Sequence, residues 1–225
     1  MTHDVVIAGG GPAGMMAGLL FARSGVRTLV LEKHGDFLRD FRGDTVHPST
    51  MEILDQLGML ERFLARPHQR LYKARGRIGS REVRIADFRS LRTPAPFIAM
   101  MPQWEFLDFL RDEAEAFPAF VLRLDCEATN VIDDHGRVTG VRLSDGEHVE
   151  AGKLVIAADG RSSFVRREVL LPVTSLGAPM DVFWFSVPKT PNNGEAPARY
   201  RRARNANGAD RPPRLLAMCL GVPQG

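Results

Sequence analysis

Gly9, Gly11 and Gly14 stand in the spacing G-x-G-x-x-G directly after the apolar run Val5-Val6-Ile7-Ala8, and Glu32 closes a second apolar run, Thr28 to Leu31. The chemistry this spacing serves is the binding of a dinucleotide. A strand that turns sharply into a helix needs backbone freedom at Gly9, and a pyrophosphate reaches the main chain at Gly11 only where no Cβ intervenes. Gly14 lets the helix lie close to the strand. The amides at the helix start lack partners within the helix and the dipole there is positive, so an anion is favoured without a basic side chain. Glu32 then accepts hydrogen bonds from an adenosine ribose. Pro12 and Ala13, between the second and third glycines, and Lys33, beside Glu32, complete this set.

Other side chains support less chemistry. Ser163 has no histidine or aspartate at an interpretable spacing, which argues against nucleophilic catalysis. The six histidines form no ligand-spaced pair, and Cys126 and Cys219 are far apart with no C-x-x-C partner, so neither a metal site nor a disulfide framework is indicated. His47 reads as a packed or capping residue.

The elements that must position these residues follow from pattern. The first strand, a helix from Met15 to Arg23 and the strand Thr28 to Leu31 form a β-α-β unit. Pro48 to Gly58 reads as a helix capped by Ser49 or Thr50, followed by a helical piece from Leu60 to Ala65. Alternation from Leu71 to Phe97 predicts strands with one solvated face, bearing Arg75, Arg77, Arg81 and Arg84. Helical spacing returns from Gln103 to Phe117. Short strands at 120–124, 128–132, 138–143 and 148–151 are separated by turn sequences and predict a meander. Lys153 to Ala158 reads as a separate strand buried on both faces.

The chain of 225 residues is long enough for a sizeable core, and its 44% hydrophobic and 25% charged content is that of a globular protein. Its net charge of +3 is local. Six arginines and one acid lie between Pro197 and Arg214, leaving 24 of the 30 basic and 26 of the 27 acidic residues, a net of −2, in the rest. That distribution argues against nucleic acid as partner. No apolar run has membrane-spanning length and no signal-peptide pattern precedes the first strand, so the expectations are no membrane and a cytoplasmic location.

Four features together resemble the flavin-dependent aromatic hydroxylases of the para-hydroxybenzoate hydroxylase type, over Asp4 to Val187. They are the glycine fingerprint with Glu32; Arg42 followed by His47-Pro48-Ser49-Thr50-Met51-Glu52-Ile53-Leu54 and Leu57-Gly58; Pro102-Gln103-Trp104-Glu105-Phe106-Leu107; and Asp159-Gly160-x-x-Ser163-x-x-Arg166 after an apolar strand. The resemblance implies a Rossmann-like α/β FAD-binding domain with a β-meander and inserted substrate-domain strands. It implies FAD as cofactor, NADH or NADPH as reductant, O2 as co-substrate and a small aromatic or similar organic molecule as substrate. By the same resemblance Arg42 and Gln103 contact the cofactor, Asp159 is tied to both flavin and nicotinamide binding, and Ser163 and Arg166 hold the D-G turn. No side chain is assigned as catalytic, because the reaction is the cofactor's.

The resemblance also sets expectations for what departs from it. Members of that family carry a second flavin motif of G-D-A-A-H type well after the D-G motif, and this chain ends before one. The expected division is an FAD-binding domain of residues 1–70 and 102–172, a partial substrate domain of 71–101 and 173–196, and a disordered basic tail of 197–225. Codons permitted for Leu216 to Gln224, read one base later, spell W-Q-C-A-W-V-F-P-K, which looks like a family strand. A frame slip within 192–199 is therefore expected, and the gene's nucleotide sequence tests it. The alternatives are a truncated FAD-binding module without turnover and a nicotinamide-dependent dehydrogenase, which shares the fingerprint but has no need of the D-G motif.

Overall fold

The computed structural model describes residues 3–38, 44–78, 81–174, 180–188 and 215–223. In chain order they form β1 (His3–Ala8), α1 (Pro12–Arg23), β2 (Thr28–Leu31), β3 (Thr45–Val46), α2 (Pro48–Gln56), α3 (Leu60–Leu64), β4 (Gln69–Leu71), β5 (Lys73–Ile78) and β6 (Arg81–Asp87). There follow β7 (Ile98–Met100), α4 (Gln103–Glu115), β8 (Phe120–Arg123), β9 (Ala128–Asp134), β10 (Arg137–Leu143), β11 (His148–Ala157), α5 (Phe164–Glu168), β12 (Met180–Pro188) and β13 (Leu215–Pro223). They divide into two units, Met1–Leu38 with Trp104–Thr174, and Arg39–Gln103 with Ser175–Gly225.

The first unit is built on a six-stranded sheet in the order β8-β2-β1-β11-β10-β9. Its first four strands are parallel and its last three run as an antiparallel meander, sharing β11. β1 and β2 are apolar and fully buried from Val5 to Ala8 and from Thr28 to Leu31, as strands covered on both faces must be. Helix α1 buries Met15, Leu19 and Ala22 on one face, at about 1.5–3 kcal/mol for each large side chain. Gly18 makes that approach possible, since a Cβ there would lie 2.6 Å from Val30 Cγ2. On the meander side Val6, Leu29, Leu31, Val141, Leu143, Val149 and Ala151 form one buried cluster. This mixed α/β architecture with a parallel sheet is the expected fold class.

Two details depart from pattern reading. The runs 148–151 and 153–158 are one ten-residue strand, β11. It pairs antiparallel with β10 through His148–Glu150 and parallel with β1 through Ala151–Ala157. Among the described residues nothing pairs with its β10-side edge beyond Glu150. Leu154 is 46% exposed, so this stretch is not buried on both faces. Helix α2 begins at Pro48 with His47 in the cap position and no side-chain cap bond, so neither Ser49 nor Thr50 is the cap. Proline at a first helical position loses nothing, since its missing N–H would have no intrahelical partner.

In the second unit β7 lies between β3 and β4, both antiparallel to it. Met51, Leu54 and Phe63 of α2 and α3 are buried. β5 and β6 form a hairpin in which Arg75 lies opposite Arg84. The second unit begins after Leu38, and within it β3 and β4 are both stitched to β7 and carry the intervening helices with them. Residues 215–223, expected inside a disordered tail, form β13 and pair along their whole length with β12. That run is nine residues without a charge, a composition that favours pairing over solvation. The basic stretch 197–214 and the frame-slip window 192–199 lie outside the described residues.

Candidate functional site

In the first unit, β1 and β11 end level, with Ala8 opposite Ala157, and the sheet order continues to β2 and β8 on the other side of β1. That is a point where strand order reverses, and crevices beyond the carboxyl ends of such strands are where open α/β sheets bind ligands. Gly9 N–H donates to the Leu31 carbonyl at 2.8 Å and Ala158 N–H donates to the Ala8 carbonyl at 2.8 Å, so the ends of β1, β2 and β11 are tied together.

The glycines of the loop divide by cause. Gly9 has φ of +107°, and a Cβ there would collide with the Ala158 carbonyl. A Cβ on Gly14 would collide with the Gly9 carbonyl oxygen. One on Gly10 would sit 2.8 Å from Glu32 Cβ. Gly11 is different. Its φ of −70° suits any residue, and a Cβ there would meet nothing within 4 Å. The fold requires glycine at 9, 10 and 14 but not at 11, so the bare backbone at 11 is open toward whatever approaches from outside.

Gly11 caps α1, whose first internal bond is Met15 N–H to the Gly11 carbonyl at 2.9 Å. Pro12 occupies the first helical position and has no N–H to give. Ala13 and Gly14 amides carry the unpaired donor capacity of the first turn. Pro12 and Ala13 are exposed beside them, as is Lys33.

Glu32 is only 7% exposed. Its Oε2 accepts from Gly10 N–H at 2.9 Å and its Oε1 from His34 N–H at 3.1 Å. The acid thus fixes the loop through the amides of Gly10 and His34.

Asp159 follows β11 and turns its carboxylate onto the next helix. Oδ2 accepts from the Phe164 amide at 2.7 Å and the Val165 amide at 3.4 Å. Ser163 Oγ accepts from Arg166 N–H at 3.1 Å, and Nη2 of Arg166 donates to the Arg161 carbonyl at 2.6 Å. Ser163 and Arg166 therefore hold the D-G turn, and Glu168 ties α5 to β9 through Asn130 Nδ2 at 2.8 Å and Val131 N–H at 3.0 Å. Replacing Asp159 or Ser163 by alanine removes a cap of α5. Each is expected to cost about 1 kcal/mol, checked by urea unfolding.

Gln103 belongs to the second unit and is the first residue of α4. Its backbone N–H donates to Asp44 Oδ1 at 3.2 Å, while its carboxamide bonds to no other described residue. Arg42 lies outside the described residues. The structure thus gathers Gly9, Gly11, Pro12, Ala13, Gly14, Glu32, Lys33 and Asp159 in one unit. Pattern reading missed Gly10, signalled by the uninterrupted triple glycine, and Asp44, signalled by an acid two residues after Arg42. Among the described residues no group of three or more His, Cys, Asp or Glu side chains is placed to hold a metal ion, and no helix is long and apolar enough to cross a membrane.

Comparison with known proteins agrees with this geometry. A family profile described as "FAD binding domain" matches residues 2–203. The chain is 31% identical to 6-methylpretetramide 4-monooxygenase of Streptomyces rimosus, over 80% of this chain and 44% of that protein. It is 34% identical to a rifampicin monooxygenase of Streptomyces venezuelae, over 80% of this chain and 36% of that protein. The chain thus spans less than half the length of these curated relatives. The crystal structure of PqsL, a probable FAD-dependent monooxygenase from Pseudomonas aeruginosa, superimposes with a TM-score of 0.72 at 22% identity, covering 85% of this chain and 52% of that one, a likeness of fold. With a profile match over most of its length, on a loop whose second fingerprint glycine the fold itself does not require, this chain belongs to the FAD-binding-domain family.

Proposed function

We propose that the chain binds the adenosine and pyrophosphate end of FAD on the β1–α1 loop, as part of a monooxygenase that uses NADH or NADPH and O2 on an aromatic or similar small organic substrate. The observation that carries the proposal is the open position at Gly11. Bare backbone there, ahead of the Ala13 and Gly14 amides, leaves the approach to those amides open, with nothing within 4 Å of where a Cβ would stand. Glu32 lies one loop away as an acceptor for ribose hydroxyls. The names of the relatives support monooxygenation as the reaction class.

In this reading the helix-start amides neutralise pyrophosphate charge and Glu32 orients the ribose. Asp159 holds the turn after β11 and so shapes the crevice. Gln103 and Arg42, by the resemblance, add cofactor contacts. Bound FAD supplies the redox chemistry, in which NAD(P)H and O2 are consumed, one oxygen atom enters the substrate and the other leaves as water. The protein's share is binding, orientation and exclusion of water.

The test is oxidation of NADH or NADPH by the FAD-supplemented chain. A monooxygenase shows a rate raised by a phenolic substrate and dependent on Gly11. A second reading, FAD binding without turnover, is favoured by the uncovered β11 edge, and it predicts flavin uptake with no substrate-stimulated oxidation.

A further inference from the structure

Glu32 stands one residue past the end of β2, and both of its main-chain groups are taken by the last residue of β8 and the segment after it. Its N–H donates to the Arg123 carbonyl at 2.9 Å, and its carbonyl accepts from Cys126 N–H at 2.9 Å. Asp125 N–H donates to the His34 carbonyl at 3.1 Å. The chain doubles back at Asp125, whose φ of +53° is left-handed, a conformation that aspartate tolerates better than most residues. One side chain closes this turn. Arg123 forks onto Glu147 of the β10–β11 turn, with Nη1 to Oε1 at 2.8 Å and Nη2 to Oε2 at 2.7 Å, and also reaches the Cys126 side chain. The guanidinium holds the Glu147 carboxyl below the usual carboxylate range, so the fork is charged on both sides at neutral pH. Beyond the clamped main chain, the Glu32 side chain runs to the Gly10 amide in the glycine loop. All of these residues belong to the first unit.

We propose that Arg123 is a positioning residue for the cofactor's ribose: by holding residues 123–126 closed on the main chain of Glu32, it fixes where the Glu32 carboxylate stands. The inference rests on the FAD reading above, and it reaches FAD through the acid that ends the second strand of the dinucleotide fingerprint. Ion pairs open to solvent add little to stability as a rule. With 34% and 46% of their side chains exposed, Arg123 and Glu147 are expected to matter more for the placement of Glu32 than for resistance to unfolding.

The experiment is FAD titration of the full chain and its variants by flavin fluorescence, beside urea unfolding and hydrogen exchange at the Gly10 amide, a readout that needs no flavin. Arg123→Ala is expected to weaken FAD binding about fivefold and to speed exchange at Gly10, with a urea midpoint close to that of the unaltered chain. Arg123→Lys keeps the charge but not the fork, and is expected to fall between the two. In a Glu32→Gln background, Arg123→Ala is expected to add less than about twofold, because its effect runs through the Glu32 carboxylate. Should Arg123→Ala fail to fold, Glu147→Gln, which leaves the arginine stem in place, replaces it with the same expectations. Unchanged FAD affinity in Arg123→Ala, or full additivity with Glu32→Gln, overturns the proposal while leaving the FAD reading intact. An affinity loss matched by a fall in the urea midpoint, with Arg123→Lys no better than Arg123→Ala, makes the ion pair merely structural and also overturns it. If the unaltered chain takes up no FAD, the FAD reading fails and the proposal fails with it.

Discussion

Gly11→Ala is expected to fold as the unaltered chain does and to lose FAD at least tenfold, whereas Gly9→Ala is expected to lose the fold. The contrast follows from the loop geometry. At Gly11 the backbone is in a region open to all residues and the new methyl meets no protein atom within 4 Å. Alanine is a poorer cap than glycine by some tenths of a kcal/mol, but it also reduces the entropy of the unfolded chain by a similar amount, so the net change in stability stays within about 1 kcal/mol. The methyl does occupy the approach to the helix-start amides, and a pyrophosphate cannot share that space. At Gly9 the same substitution meets a φ of +107° and the Ala158 carbonyl together. Strain of about 1–3 kcal/mol combines with an overpacking cost of similar size, against backbone that is held by the β1–β11 ladder and cannot yield. Urea unfolding of both variants, followed by FAD titration of Gly11→Ala, checks the pair.

Glu32→Ala is the second large effect. Its carboxylate is nearly buried and accepts the amides of Gly10 and His34. Removing it strands those donors, at about 1–3 kcal/mol for a buried group left unpaired. It also opens a cavity beside Gly10, whose missing Cβ is the space that Glu32 fills. The loop loses its anchor and the ribose its acceptor, so stability and FAD affinity fall together. Glu32→Gln separates the two roles. It retains one carbonyl oxygen for one of the two amides but turns an NH2 toward the other, so a smaller stability loss should accompany a substantial loss of affinity. Thermal unfolding beside FAD titration gives both numbers.

Much of this was legible before any coordinates. The strand–glycine–helix–strand–acid sequence carries its own geometry, because only one arrangement satisfies an apolar strand, a tight turn and a close helix at once. The parallel strands and the turn-punctuated meander were readable for the same reason. The continuity of β11 was not, because a strand that changes partner midway from β10 to β1 has no distinct signature at the change. The cap of α2 was misplaced because serine and threonine advertise as caps, while the proline at the first helical position puts His47 in the cap position, two or three residues earlier. The sharing of β7 by β3 and β4 escaped because it is a pairing across 27 or more residues that composition does not record. Asp44 escaped for a related reason. A cap supplied from 59 residues away leaves no local motif, only a helix that begins after a proline.

The most direct test is FAD uptake by the purified chain, followed by flavin fluorescence and visible absorbance, with Gly11→Ala measured alongside. The account predicts saturable uptake approaching one FAD per chain in the unaltered protein, and at least tenfold weaker uptake in a Gly11→Ala variant of unchanged stability. A folded chain that takes up no FAD, or a Gly11→Ala variant that binds it equally well, contradicts the assignment of this loop to the flavin's pyrophosphate.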